Sequence, residues 1–209
     1  MTKFAFLEPI AVFAGIIAYI WTLRFTHPWF WLPLLGLIVV SHIARRERAP
    51  GLGFRVKHLG DCVRRFGPAL IGFALAMCII GWLLGTIRPM GFKGAAWTLG
   101  LYLPWGLFQE YLLNAYFLKR FDTVLSPRGA GLTAAVLFSA VHSPNWFLML
   151  VTAPAGFGAI QVYRRYSNLY FLGMAHAVIG FLLFLVVPDS VSHHLRVGPG
   201  WAPDRAMTR

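Results

Sequence analysis

The stretch AAWTLGLYLPWGLFQEYLLNAYFL (95–118) decides the fold of this chain, because it is long and apolar enough to span a bilayer and yet contains a carboxylate. A spanning helix needs about 20 mostly apolar residues. Glu110 lies inside this run, where a charged group costs at least about 2.5 kcal/mol. Ionisable residues within membrane segments usually mark functional sites. The stretch therefore predicts both a membrane-spanning helix and a site at Glu110.

The composition of the whole chain is that of an integral membrane protein. Of its 209 residues, 58% are hydrophobic and only 12% are charged. Soluble domains contain about 45–50% apolar and about 25% charged residues. We therefore predict an all-α fold, a polytopic membrane helix bundle that forms a single membrane domain over 1–209. Within it we expect amino-terminal helices and a basic amphipathic loop in 1–94, the core with the candidate site in 95–187, and a polar tail in 188–209.

Seven apolar runs, two of them short, predict about seven transmembrane helices. They are 4–23, 28–43, 67–87, 95–118, 129–142, 146–163 and 168–187. Segment 51–67 has apolar residues at helical spacing and basic residues largely elsewhere around the helix, which is typical of an amphipathic helix in the membrane interface. We expect this interfacial helix to be a surface anchor; a catalytic or gating role is the alternative.

The net charge of +12 comes from basic residues in short loops between the apolar runs. There it sets membrane topology and meets anionic lipid, so no nucleic-acid partner is expected. The opposite loops, which include Arg205 and Arg209, hold 6 basic residues, against 13 in 1–3, 44–66, 119–128 and 164–166. The positive-inside rule then predicts a multi-pass protein of the cell (inner) membrane with its amino terminus in the cytoplasm.

Two later apolar segments each carry one histidine, His142 and His176. Depth can be counted from the nearest cytoplasmic charges at about 1.5 Å per helical residue. Glu110, His142 and His176 then lie roughly 14, 21 and 17 Å deep, in the middle layer of a hydrocarbon core about 30 Å thick. Three ionisable groups at a similar depth predict a shared site.

Polar neighbours strengthen this prediction. In an α-helix Asn114 lies one turn from Glu110 on the same face, and Gln109 is adjacent. SPN (143–145) follows His142 directly, and its proline should end or kink the helix. If that break falls within the membrane, its backbone must line a protein-filled or water-filled cavity.

A carboxylate and an imidazole can together activate a water, and a second imidazole with an amide can stabilise the oxyanion of a tetrahedral intermediate. On this interpretation Glu110 and His142 activate the water. His176, with Asn145 or Asn114, then holds the oxyanion. The alternative is a divalent metal ion on Glu110, His142 and His176. With a single carboxylate and no obvious further acid, we favour a site without metal or other cofactor.

Three short motifs follow one another along the chain: QEYLLN (109–114), FSAVH (138–142) and HAVIG (176–180). In this order and spacing, the stretch 100–186 resembles the core of the CAAX-prenyl-protease and bacteriocin-processing (CPBP) family of glutamate intramembrane proteases. Members show Glu-Glu-x-x-x-Arg, then Phe-x-x-x-His, then His-x-x-x-Asn or a variant. The resemblance implies an intramembrane endopeptidase that hydrolyses a peptide bond of a membrane-associated or lipid-anchored protein substrate.

The chain departs from this pattern as a divergent member. Gln109 stands where the family has its first glutamate, the water-activating base, and glutamine cannot serve as that base. Asn114 replaces the arginine, and Gly180 replaces the late asparagine. An enzyme would need Glu110 to act from a position about 100° further around the helix. The alternative is a catalytically degenerate membrane protein that acts as an immunity or interaction factor.

Overall fold

The computed structural model describes residues 2–201, and this part of the chain is helical with no strand. α1 (Thr2–Ala18) continues through a π turn (Tyr19–Leu23) into Arg24–Thr26, and α4 (Phe92–Glu110) continues into a π-helix (Tyr111–Leu118) and Lys119–Phe121. The other long helices are α2 (Trp31–Ala44), α3 (Leu59–Leu83), α5 (Pro127–Ala140), α6 (Trp146–Tyr166) and α7 (Leu169–Val186). Short helical turns are Pro28–Phe30, Ala49–Leu52, Asp189–Ser192, His193–Leu195 and Gly198–Trp201.

The all-helical class predicted from the sequence is confirmed, and each predicted span coincides with one of these helices. Four described segments are long and apolar enough to cross a membrane: Phe6–Thr26, Leu59–Leu83, Trp146–Tyr166 and Leu169–Val186. Pro28–Ala44 is apolar but shorter. The number of about seven crossings therefore stays a prediction.

The structure does not confirm a separate interfacial helix over 51–67. Residues 53–58 are non-helical, and α3 begins at Leu59 and runs on as a candidate span. Of the tail predicted for 188–209, the structure describes residues up to Trp201. Arg205 and Arg209, which entered the orientation count, lie outside the described residues.

The chain divides into two compact units. The first unit consists of Met1–Arg48, Leu113–Ile160 and Arg196–Arg209, and the second of Ala49–Leu112 and Gln161–Leu195. The prediction of a single membrane domain is not tested by this division.

The first unit has an apolar core between α1, α2, the π-helix and α5. Ile38 is 2% exposed, and Leu113 and Ala134 are each 1% exposed. The rings of Phe13 and Phe117 pack edge to face with 6.4 Å between their centroids. Burial of these side chains is what holds the four segments together.

A buried ion cluster joins α1, the end of α2 and the residues after the π-helix. The Arg120 side chain, 1% exposed, donates to Glu47 Oε2 at 2.8 Å and to Ser41 Oγ at 2.9 Å. Glu8 accepts from Arg45 at 2.5 Å and from Tyr116 at 3.2 Å. The other members are His42 and Lys119, which both contact Glu47.

Burial raises the pKa of the Glu47 carboxyl, but hydrogen bonds from Arg120 and His42 and the charges of Arg120 and Lys119 outweigh burial. The net result is a pKa of about 2. Arg120 belongs to the basic residues of 119–128 in the orientation count, but its guanidinium is folded back onto Glu8 and Glu47, which are far away in the sequence. A buried charge needs such partners.

Hydrogen bonds hold both ends of α7 in the second unit. At its start, Asn168 Oδ1 accepts from the Phe171 N–H at 2.9 Å, and Asn168 Nδ2 donates to the Arg55 carbonyl at 2.7 Å and the Lys57 carbonyl at 3.1 Å. Beyond its end, Arg88 donates to both carboxylate oxygens of Asp189, at 3.0 and 2.5 Å. These hydrogen bonds hold the pKa of Asp189 below its ordinary value.

Candidate active site

In the second unit, α4 packs against α7 through two glycines. A Cβ added at Gly106 would lie 2.7 Å from the carbonyl oxygen of Gly173, and a Cβ at Gly173 would lie 2.7 Å from the Cα of Leu107. Distances under 3.0 Å essentially never occur for a real Cβ. Only glycine at both positions therefore allows the two backbones to come this close. Glu110 follows Gly106 by one helical turn.

The close approach brings Glu110 into contact with His176. Glu110 is the last residue of α4, and its Oε1 lies 2.9 Å from Nδ1 of His176 on α7. The two side chains are only 5% and 18% exposed. A carboxylate oxygen accepts, so the imidazole donates from Nδ1. The pair is a buried carboxylate–imidazole dyad.

The backbone changes its winding directly after Glu110. Residues Tyr111–Leu118 form a π-helix, whose i→i+5 hydrogen bonds make each turn wider than an α turn. The backbone between Glu110 and Asn114 is therefore wound more widely than the α-helix from which their spacing was predicted. Most π-helical segments are single turns within α-helices, and they occur frequently at functional sites.

His142 lies in the first unit, in the turn that follows α5. Its side chain is buried, with the residue 9% exposed, and Nδ1 lies 2.7 Å from the carbonyl oxygen of Phe138. A carbonyl can only accept, so Nδ1 carries the proton and Nε2 is the basic nitrogen of the neutral ring. α5 ends at Ala140, which confirms that the helix stops before Pro144.

The two predicted asparagines of the first unit are both fully buried, at 0% exposure for Asn114 and Asn145. Asn145 caps the start of α6, because its Oδ1 accepts from the Leu148 N–H at 3.1 Å. Its Nδ2 donates to the Arg196 carbonyl at 3.1 Å. Asn145 therefore has a structural role, because it ends the turn that follows His142.

The structure thus assigns the predicted residues to two places. Glu110, Gln109 and His176 belong to the second unit, where Glu110 and His176 are in contact and Gln109 is half-buried. The remaining three belong to the first unit; they are Asn114, His142 and Asn145. That all six act on one substrate stays a prediction.

Among residues 2–201, no group of three or more His, Cys, Asp or Glu side chains is placed so that it could hold a metal ion. The expectation of a metal-free, cofactor-free site is not tested by this finding. Chelation of the purified protein would test it.

The glycines that bring the dyad together were not among the predicted site residues. Gly106 precedes Glu110 by four residues, and Gly173 precedes His176 by three, so each glycine shares a helix face with its ionisable residue. Small residues are enriched where membrane helices pack closely. This spacing was the signal that α4 and α7 meet at the site.

The fold and the site define a class: a helical membrane protein with a carboxylate–imidazole dyad buried between two helices. Residues 91–182 match the sequence pattern of a known family, the type II CAAX prenyl endopeptidase Rce1-like family, which is part of the CPBP family. The predicted resemblance is thereby confirmed over somewhat less than half of the chain, and members of this family are intramembrane proteases. No curated protein and no solved structure matches the chain.

Proposed function

We propose that the protein is an intramembrane endopeptidase that hydrolyses a peptide bond of a membrane-associated or lipid-anchored protein. The observation that carries this proposal is the buried dyad of Glu110 and His176, at 2.9 Å, inside the segment 91–182 that matches a family of intramembrane proteases. A carboxylate in a membrane helix costs free energy, so it usually marks a functional site. A carboxylate and an imidazole together can activate a water molecule for hydrolysis.

In the proposed reaction Glu110 takes a proton from water, and the resulting hydroxide attacks the carbonyl carbon of the scissile peptide bond. Oε1 of Glu110 receives the hydrogen bond from His176, which orients the carboxylate for this step. His142, held by Phe138 with Nε2 as its basic nitrogen, assists in this step.

The attack leaves a negative charge on the former carbonyl oxygen. His176, when protonated, donates from Nε2 to this oxyanion, with Asn114 or Asn145 as the amide donor. Collapse of the intermediate breaks the C–N bond, and the proton taken up by Glu110 passes to the leaving amine. The site needs no metal ion for these steps.

The test is a cleavage assay with the full chain in vesicles that contain a candidate lipid-anchored substrate. Glu110→Gln, His142→Ala and His176→Ala should each lower kcat/KM at least about 100-fold, as expected when a general base or oxyanion donor is removed. His27→Ala, which removes an exposed histidine, is the matched control and should cleave normally. Undiminished cleavage by Glu110→Gln would refute the assignment.

The second candidate function is that of a catalytically degenerate immunity or interaction factor. Gln109, Asn114 and Gly180, which replace three residues of the family pattern, favour it. Gln109→Glu restores the family's first glutamate and separates the two proposals. If the wild type shows a cellular phenotype without cleavage, and Glu110→Gln keeps that phenotype, the interaction function is correct.

We also propose that the protein is a multi-pass component of the cell inner membrane with a cytoplasmic amino terminus. The excess of basic residues on one set of loops supports this orientation. Reporter fusions at the two termini would test it, since an amino-terminal reporter active only outside the cytoplasm should then stay silent.

A further inference from the structure

The second unit carries a basic surface that the proposed catalysis does not use. It is built from segments 55–66 and 164–168. The side chain of Arg55 donates to the carbonyls of Ser167 at 3.1 Å and Tyr166 at 3.2 Å. The rings of Phe66 and Tyr166 lie 5.8 Å apart. These contacts gather six cations into what we call the basic end: Arg55, Lys57, Arg64, Arg65, Arg164 and Arg165.

The segments that form the basic end contain many more cations than acids. Asp61 is the only acid in segments 55–66 and 164–168, and it pairs with Arg64 at 2.7 Å. Lys57, Arg65 and Arg165 are exposed. These three exposed cations attract an anionic partner where α3 begins and α6 ends.

An apolar ridge continues from the basic end along α3. Ile71, Leu75 and Ile79 are 62%, 58% and 57% exposed, and each follows the previous one by four residues, so the three lie within about 80° of the helix surface. α3 is one of the candidate membrane spans. A ridge of this kind faces the hydrocarbon of a bilayer, where acyl chains are its neighbours.

We propose that the basic end is a binding site for an anionic phospholipid. The phosphate head group binds at Lys57, Arg65 and Arg165, and an acyl chain lies along the ridge of α3. A phospholipid supplies both chemistries at once: a negative charge at the membrane surface and an apolar chain that runs down a spanning helix. An acidic protein segment would complement the charge of the cations, but it would not cover the apolar ridge of α3.

The test uses the full chain in mixed micelles that contain equal amounts of phosphatidylglycerol and phosphatidylcholine, with bound lipid counted by native mass spectrometry. The wild type should bind phosphatidylglycerol preferentially. Each of the three cations that bind the head group should contribute about a fivefold preference for anionic lipid, which corresponds to about 1 kcal/mol. Lys57→Gln, Arg65→Gln and Arg165→Gln together should therefore abolish the preference, and each single variant should lower it about fivefold.

Two controls separate a built site from general charge. Arg46→Gln, Lys93→Gln and Arg128→Gln remove three exposed cations elsewhere and should leave the preference within about twofold of the wild type. Charge-conserving exchanges, Arg65→Lys with Arg165→Lys, should also retain it.

Three outcomes would overturn the proposal. The first is that the triple variant keeps the full preference for phosphatidylglycerol, or that any single variant keeps it if the triple variant does not fold. The second is that the control triple variant loses as much preference as the basic-end variant, which would show a response to net charge alone. The third is that an acidic peptide binds the wild type while the protein does not prefer phosphatidylglycerol to phosphatidylcholine, which would identify a protein-docking surface instead.

Discussion

Gly106→Ala should separate α4 from α7 and break the dyad. The new Cβ would lie 2.7 Å from the carbonyl oxygen of Gly173, whereas ordinary van der Waals contact begins at 3.4 Å. The backbones must therefore move apart by about 0.7 Å at this point (3.4 minus 2.7). The second obstacle, at 3.0 Å, is the backbone nitrogen of Ala177, so no side chain can rotate away to relieve the contact.

The same movement, carried one helical turn to Glu110, lengthens the 2.9 Å contact with His176 to about 3.6 Å. At that distance the hydrogen bond is lost. Overpacking costs about 1–3 kcal/mol, and the lost hydrogen bond adds about 1 kcal/mol. The substitution should therefore lower the free energy of unfolding by about 2–4 kcal/mol.

The matched control is Gly100→Ala on the same helix, where the added Cβ meets nothing within 4 Å. It should stabilise the protein by up to about 1 kcal/mol, because alanine is the better helix former. Unfolding titrations in mixed micelles measure both variants, and nitrogen NMR of the His176 ring reports the hydrogen bond at Nδ1. Equal stability of the two variants, with an unchanged His176 signal, would refute the argument that the glycine contact holds the dyad.

Three further predictions concern the ion cluster and the start of α7. Arg120→Met leaves the carboxylates of the cluster without their guanidinium and should lower the free energy of unfolding by about 3–5 kcal/mol, whereas Arg120→Lys should cost less; unfolding titrations that show no difference would contradict this. Glu47, with its pKa lowered from 4.5 to about 2, stabilises the fold above pH 4.5, and this contribution is lost as the pH falls from 4.5 towards 2. The loss is at most about 3 kcal/mol at about 1.4 kcal/mol per pKa unit, and Glu47→Gln should flatten the stability profile in this range. Asn168→Asp keeps the oxygen that caps α7 but loses both N–H donors, so it should cost about 2–3 kcal/mol, less than Asn168→Ala, which also loses the cap; a stable Asn168→Asp protein would show that the two carbonyl contacts contribute nothing.

Much of the fold followed from the apolar runs. Each predicted span coincides with a helix, because a run of about 20 apolar residues in a bilayer has to satisfy its backbone hydrogen bonds within itself. The boundaries of α3 did not follow from the run 67–87, since the helix begins eight residues earlier at Leu59. The basic residues of its first turns interrupt the apolar run in the sequence. They do not interrupt the helix, because exposed cations are tolerated at a membrane surface.

The candidate site could be predicted residue by residue but not as an arrangement. Glu110 and His176 stood out because ionisable side chains are rare in apolar segments. Their contact depends on a backbone approach that two glycines permit, and periodicity along one helix says nothing about which face meets which neighbour. The role of Asn145 as the cap of α6 was likewise hidden, since a cap is defined by the backbone that follows it.

The sequence by itself determined the helical membrane class, the ionisable candidates and the family resemblance, because hydropathy, residue type and motif order are properties of the chain read in one dimension. Only the tertiary structure decided that Glu110 pairs with His176, that the backbone after Glu110 winds as a π-helix, and that Arg120 is buried. Glu110 and His176 are 66 positions apart in the sequence, and Arg120 and Glu47 are 73 positions apart. The π-helix likewise depends on packing against distant residues. Which residues pair depends on how the surfaces of two packed helices fit together. The spacing of residues along one helix does not specify that fit.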